Sequence, residues 1–399
     1  MDSIRRTTHL TRQGRRVPSR TQNMSSLKER DRLRNAAAQM LMVGFHTAPS
    51  AVPESLGRAL AEGLGGVILF RRNVEDVHQL MDLTASIRQA APQEGPVPFV
   101  AVDQEGGRVV RLREPLTPIP PMRTIGEQQD PEWTRAVSAM MALELKTLGI
   151  NLNFAPVVDV DTNPKNPVIG DRSFSSDPRQ VARHARAFIA GHLETGILPC
   201  AKHFPGHGDT LIDSHLDLPS LPHDLQRLEE TELHPFRELF RDDPPLLMTA
   251  HILFQALDTQ HPATLSHLIL EDLLRRKLGY KGLIISDCLE MKAVSQRYTI
   301  EEMMELGLSA GIDIFLICHT EELWQRAWEH LLALGEQNQE NRDRILSSAH
   351  RIERRKEQIL TEPLSPESAL STLGCKPHRD LLTGFQSNAT DDDPTDTSA

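Results

Sequence analysis

Between about residue 40 and residue 320, short runs of Val, Ile and Leu alternate with longer stretches whose apolar residues recur near every 3.6 positions. Runs that are apolar throughout, rather than at every second position, suit strands covered on both faces, as in a parallel sheet wrapped by helices. The strands predicted this way are Met40–Phe45, Gly66–Phe70, Pro98–Asp103, Asn151–Val158, Leu198–His203, Leu246–His251, Gly282–Asp287 and Ile312–Cys318. Helices are predicted over Val74–Arg88, Glu132–Leu148, Pro178–Thr195, Leu225–Phe240, Ser266–Leu278, Ile300–Ala310 and Glu321–Leu334. Eight strands in alternation with helices is the closing number of a (β/α)8 TIM-type barrel, an α/β fold, whereas an open doubly wound sheet requires no such count. A last helix near Arg342–Leu360 is expected to pack outside the barrel, which makes 27–360 a single domain.

The flanks read differently. Met1–Asn23 is rich in Arg and Thr, has Asp2 as its only acid and shows no apolar period, so 1–26 is expected to be a basic disordered tail. Met24-Ser25-Ser26-Leu27-Lys28-Glu29 resembles a natural start with a helix N-cap. Residues 361–399 are expected to form a polar, acidic and largely disordered extension, ending in Asn388–Ala399 with no large apolar side chain.

Composition narrows the partners. The chain has 399 residues and a net charge of −11, from 55 acidic against 44 basic side chains. That balance opposes a phosphate backbone as partner, so no nucleic acid is expected and small cleft-bound ligands fit better. No apolar run approaches the ~18–20 residues that span a bilayer, so no membrane is expected either. The arginines of the first twenty residues flank no apolar segment of signal-peptide length. Four cysteines, Cys200, Cys288, Cys318 and Cys375, make no C-x-x-C pair and three lie in apolar strand-like runs, which points to reduced thiols and a cytoplasmic location.

In such a barrel, chemistry gathers on the loops after the strands. Ionisable residues concentrate there. The third strand ends in Asp103-Gln104-Glu105-Gly106-Gly107-Arg108-Val109-Val110-Arg111, and the fourth leads to Gly170-Asp171-Arg172-Ser173-Phe174. The fifth ends in Lys202-His203-Phe204-Pro205-Gly206-His207-Gly208-Asp209-Thr210, with Asp213-Ser214-His215 following, and the seventh in Ser286-Asp287-Cys288-Leu289-Glu290-Met291. Each group has a plain reading: Asp287 as a helix N-cap, the arginines as surface ion pairs. Their gathering at one barrel mouth argues for a site. A zinc hydrolase built on His203, His207, His215 and His251 with Asp209 or Asp213 is a second reading, but ligand spacings of three and seven residues across a Gly-rich loop are not a tight zinc signature, and no metal is expected.

The run from Lys202 to Thr210 with Asp213-Ser214-His215 resembles the signature of family-three glycoside hydrolases of the β-N-acetylglucosaminidase branch, the single-domain enzymes of bacterial cell-wall recycling. The resemblance extends through Asp103–Arg111, Gly170–Phe174 and Ser286–Met291, covering about Leu27 to Leu334. It implies that Asp287 is the nucleophile, His215 the acid/base and Asp213 the group that orients His215. It also implies that Asp103, Arg111, Arg172, Lys202 and His203 hold a terminal N-acetylglucosamine. Its further implications are exo-acting hydrolysis without a cofactor, a muropeptide or other small carbohydrate as substrate, and a monomer. Cys288 departs from the pattern, since many members carry a second acidic residue there. A catalytically retired sugar-binding protein would be expected to lack Asp287 or His215, and both are present.

Elementary chemistry is consistent with those roles. A retaining glycosidase needs a carboxylate that attacks the anomeric carbon and a second group that first gives and then takes a proton. An imidazole titrating near 6.5 does both at neutral pH when a carboxylate fixes its tautomer. The glycines around His207 give that loop freedom to bring His215 in with substrate.

Overall fold

The computed structural model describes residues 20–211, 213, 214, 216–359 and 370–383. Eight parallel strands form its sheet: β1 Leu41–Val43, β2 Gly66–Leu69, β3 Phe99–Val102, β4 Leu152–Asn153, β5 Leu198–Phe204, β6 Leu246–Thr249, β7 Leu283–Ile285 and β8 Phe315–Ile317. Each pairs with the next in sequence, and β8 returns to β1 with Leu41 opposite Phe315. The ring closes between β7 and β8 at a parallel bridge, Ile285 to Ile314. The strands are buried throughout, as their unbroken apolar runs require.

The helices that carry the argument are α1 Arg20–Gln39, α2 Glu54–Ala61, α3 Val77–Ala90, α4 Pro131–Thr147, α5 Pro178–Thr195, α6 Ile300–Ala310, α7 Glu321–Gln337 and α8 Gln339–Ile359. Their starts follow from local chemistry. Asp130 and Asp177 cap α4 and α5 immediately before a proline at the first helical position, and Thr299 and Glu302 form a reciprocal capping box on α6. Helix α2 occupies the one gap in which no helix is predicted from sequence. It is eight residues long, about two turns, and buries Leu56, Ala59 and Leu60 at helical spacing. No helix among the described residues is long and apolar enough to cross a membrane.

Three elements differ from expectation for identifiable reasons. Leu225–Phe240 is two helices, Leu225–Glu230 and Leu233–Leu239, broken so that Pro235, which has no N–H to give, falls in the first turn of the second. Strand β4 is interrupted because Pro156 cannot donate to the ladder, and the chain regains β5 at an isolated bridge between Val157 and Lys202. Leu268–Lys277 is wound wider than an α-helix, its end marked by the Leu278 N–H bonded to the Leu273 carbonyl at 2.8 Å.

The ends also differ. Helix α1 begins at Arg20, inside the stretch read as tail, while residues 1–19 lie outside the described residues. Within 361–399, residues 370–383 are folded against α4: Leu373 and Leu382 are buried, and Trp133 donates its indole N–H to the Leu381 carbonyl. The anchor is buried Glu144, which accepts from the Gly374 N–H at 2.9 Å, from His378 at 2.7 Å and from the Thr117 hydroxyl at 2.6 Å. No aromatic residue or apolar period in that segment announces the docking.

Candidate active site

A cavity of about 150 Å³ opens at the carboxyl ends of the strands, roughly ten times the room a single water needs. Asp103, Arg172, Lys202, His203 and Asp287 line it, with Phe70, Phe154 and Met248 as apolar wall. Arg111 and Asp213 are not among its lining residues. Arg111 lies behind Asp103, buried, with Nη2 3.3 Å from Asp103 Oδ2 and its guanidinium over the Phe70 ring at 5.5 Å. Ser214, next to Asp213, reaches the cavity. His215 lies outside the described residues, as does Ile212.

One wall of the cavity is backed by an ion network. Strand alternation puts Asp103 and Glu105 on one side of the chain. Lys202 Nζ bridges them, 2.8 Å from Asp103 Oδ1 and 2.6 Å from Glu105 Oε1. Arg172 grips Glu105 in a two-pronged pair, Nε to Oε2 and Nη2 to Oε1, both at 2.8 Å. Burial alone would push the Glu105 carboxyl up, but Arg172 and Lys202 outweigh it and hold the group well below the carboxylate range. The same balance raises Lys202: burial favours its neutral form, and Asp103 and Glu105 overcome that. Glu105, Lys202 and Arg172 are therefore charged at neutral pH, and their mutual contacts hold them in place.

A second buried acid organises the loop after β5. Asp159 Oδ2 sits 2.7 Å from His203 Nδ1, while its Oδ1 accepts the backbone N–H groups of His203 at 3.2 Å and His207 at 2.7 Å. Burial raises the Asp159 carboxyl, and His203 more than compensates, leaving it ionised. His207 is pushed down to about 4 by burial and by neighbouring His203. It is a neutral imidazole that packs the loop, with Nδ1 2.9 Å from Thr210 Oγ1 and Nε2 3.0 Å from Ser214 Oγ. This clamp fixes Ser214 at the cavity edge.

Asp287 stands at the tip of β7, its Oδ1 accepting the Cys288 N–H at 2.7 Å, so one lobe of the carboxylate has its direction set by the backbone. The neighbouring Glu290 turns both oxygens to backbone N–H groups, of His319 at 2.6 Å and Thr320 at 3.0 Å, at the start of α7. Cys200, Cys288 and Cys318 are buried free thiols. Sequence reasoning missed Glu105, Asp159 and the structural role of His207. The first two carry a legible signal, an acid at the end of an apolar strand run, on the same side as another acid in one case.

The half-buried Asp287 and the fixed cations and acids share one cavity at the mouth of a (β/α)8 barrel, where such barrels keep their chemistry. The chain belongs to glycosyl hydrolase family 3: residues 32–354 match the model of that family's N-terminal domain. Within the family it groups with the β-hexosaminidases. It is 37% identical over 359 residues to β-hexosaminidase A of Pseudoalteromonas piscicida, covering 84% of this chain but 60% of that protein. It is 42% identical over 277 residues to the β-hexosaminidase of Neisseria meningitidis serogroup C, covering 68% of this chain and 75% of the relative. The solved family 3 β-N-acetylglucosaminidase from Paenibacillus sp. superposes with a TM-score of 0.80 at 35% identity, over 88% of this chain and 67% of that one.

Proposed function

We propose that this protein is an exo-acting retaining β-N-acetylglucosaminidase that removes terminal non-reducing N-acetyl-β-D-glucosamine through a covalent glycosyl-enzyme on Asp287. The observation that carries the reading is the position of Asp287 at the β7 tip, lining the same cavity as the fixed Asp103, Lys202 and Arg172. Residues 27–360 make up the catalytic domain in this reading.

In the first step an Asp287 oxygen attacks the anomeric carbon while the bond to the leaving oxygen breaks. Protonated His215, oriented by Asp213, gives its proton to that oxygen. In the second step His215 takes a proton from water, the water oxygen bonds to the anomeric carbon and the ester to Asp287 breaks, so configuration is retained. Asp103, Lys202, Arg172 and His203 accept from and donate to sugar hydroxyls and the acetamido group, and Arg111 positions Asp103. The sequence requires no cofactor. The small cavity favours a chain end over an internal residue. Cytoplasmic muropeptides released in cell-wall turnover are the proposed substrate, acted on by the monomer.

The test compares aryl N-acetyl-β-glucosaminide with the corresponding glucoside. Efficient turnover of the first and little of the second is expected; equal turnover overturns the acetamido specificity, and no turnover of either overturns the activity.

A further inference from the structure

Beside the nucleophile lies a cluster that the reaction above does not use. Cys288, Glu290 and His319 each place one potential ligand atom within 4.8 Å of the others, and all three line the sugar cavity. They come from two elements held in register. The Glu290 carboxylate accepts the His319 N–H at 2.6 Å, which ties the backbone carrying the imidazole to the loop carrying the other two ligands. The His319 ring is packed between His46 and Phe70, each with its centroid 5.7 Å away. Ligand orientation is therefore set by packing and by backbone hydrogen bonds, as in sites built to bind.

We propose that Cys288, Glu290 and His319 form a zinc site whose occupation blocks the sugar cavity. One thiolate, one imidazole and one carboxylate make a donor set that suits zinc; calcium and magnesium prefer oxygen alone. Three protein ligands leave a fourth position, which faces the cavity and takes a water. On binding, the thiol of Cys288 releases its proton to solvent and its sulfur bonds to the ion, so thiolate and carboxylate together neutralise the dication. Ion and water then occupy part of the cavity that Asp287 and Lys202 also line, and the ion competes with substrate. The competition rests on the glycosidase reading; the binding does not.

The experiment titrates metal-free full-length protein with zinc chloride and reads binding and hydrolysis separately. Expected are one zinc per chain by equilibrium dialysis, protection of the Cys288 peptide from alkylation, and a rise in KM at constant kcat that chelation reverses. C288S and H319Q are each expected to weaken zinc binding at least about tenfold and to lose the KM effect, each measured against its own zinc-free rate. Undiminished zinc affinity in both variants overturns the site. Zinc bound at the cluster without a change in KM overturns the blockade. Absence of hydrolysis even without zinc sinks the glycosidase reading while the dialysis and alkylation results still decide the site.

Discussion

At the scale of single residues, the site separates groups that act from groups that hold. Asp287→Ala removes the attacking carboxylate without emptying the core, so kcat is expected to fall by roughly 10³-fold or more with the melting temperature little changed. A slowed 2-fluoro sugar substrate should leave its mass on the wild-type peptide containing Asp287, and a label on Glu290 instead would refute the assignment. His215→Ala and Asp213→Ala are expected to be slow with poor leaving groups and partly restored with very good ones, which need little proton assistance; equal loss across leaving groups would assign both residues a purely structural part. Glu105→Gln should behave in the opposite way to Asp287→Ala. It strands Arg172 and Lys202, both buried, without their shared counter-charge, a change that costs about 3–5 kcal/mol in comparable settings and is read directly by denaturant unfolding. Asp103, Lys202 and Asp287 were legible in the sequence because each lies at or next to the end of a strand, at the face where barrels place chemistry, and Arg172 because it lies on the loop that follows β4. Glu105 carries the same signal, but only side-chain packing shows that it takes both Arg172 and Lys202.

At the scale of elements, what the sequence conveyed was the count and order of strands, because unbroken apolar runs of strand length leave few alternatives. What it concealed were interruptions caused by single residues: Pro156 in β4 and Pro235 between two short helices. A proline's missing N–H decides a boundary only once its hydrogen-bond partner is known. The docked segment 370–383 was hidden for another reason, since its anchor is a buried acid on a distant helix rather than any pattern of its own. Deleting residues 370–383 is expected to lower the melting temperature by several degrees, at about 2–4 °C per kcal/mol. The loss arises because Glu144 keeps only its Thr117 partner and the Trp133 face is uncovered. Scanning calorimetry checks this, and an unchanged melting temperature would show that the segment contributes no net stability.

At the scale of the whole molecule, burial of neutral imidazoles sets a pH window. His192 is pushed down to about 3 by burial and His207 to about 4, both from 6.5. As pH falls below about 6.5 the unfolded chain takes up protons at both rings while the folded chain refuses them, so stability falls with pH, down to about 4 through His207 and about 3 through His192. Glu105, held low in the fold, adds acid loss only below about 4.5. Urea unfolding across pH 7 to 4 should show this slope, and His192→Gln should reduce it by one proton; a flat profile would contradict the neutral buried state. The closure of the barrel has a bearing on how the chain is made. Strands β7 and β8 meet at a bridge rather than a full ladder. Asp313, just before β8, accepts from the Ile284 N–H and from Arg275 at 2.8 Å, then from Arg351 at 2.6 Å on α8. On the opposite flank Lys356, also on α8, donates to Gln39 at 3.0 Å and to the Gly65 carbonyl at 2.7 Å. The fastening groups are thus among the last of the barrel to leave the ribosome, so β1 must wait for almost the entire chain before its ring can be sealed, and nascent chains halted ahead of Arg351 should remain open to protease along that seam.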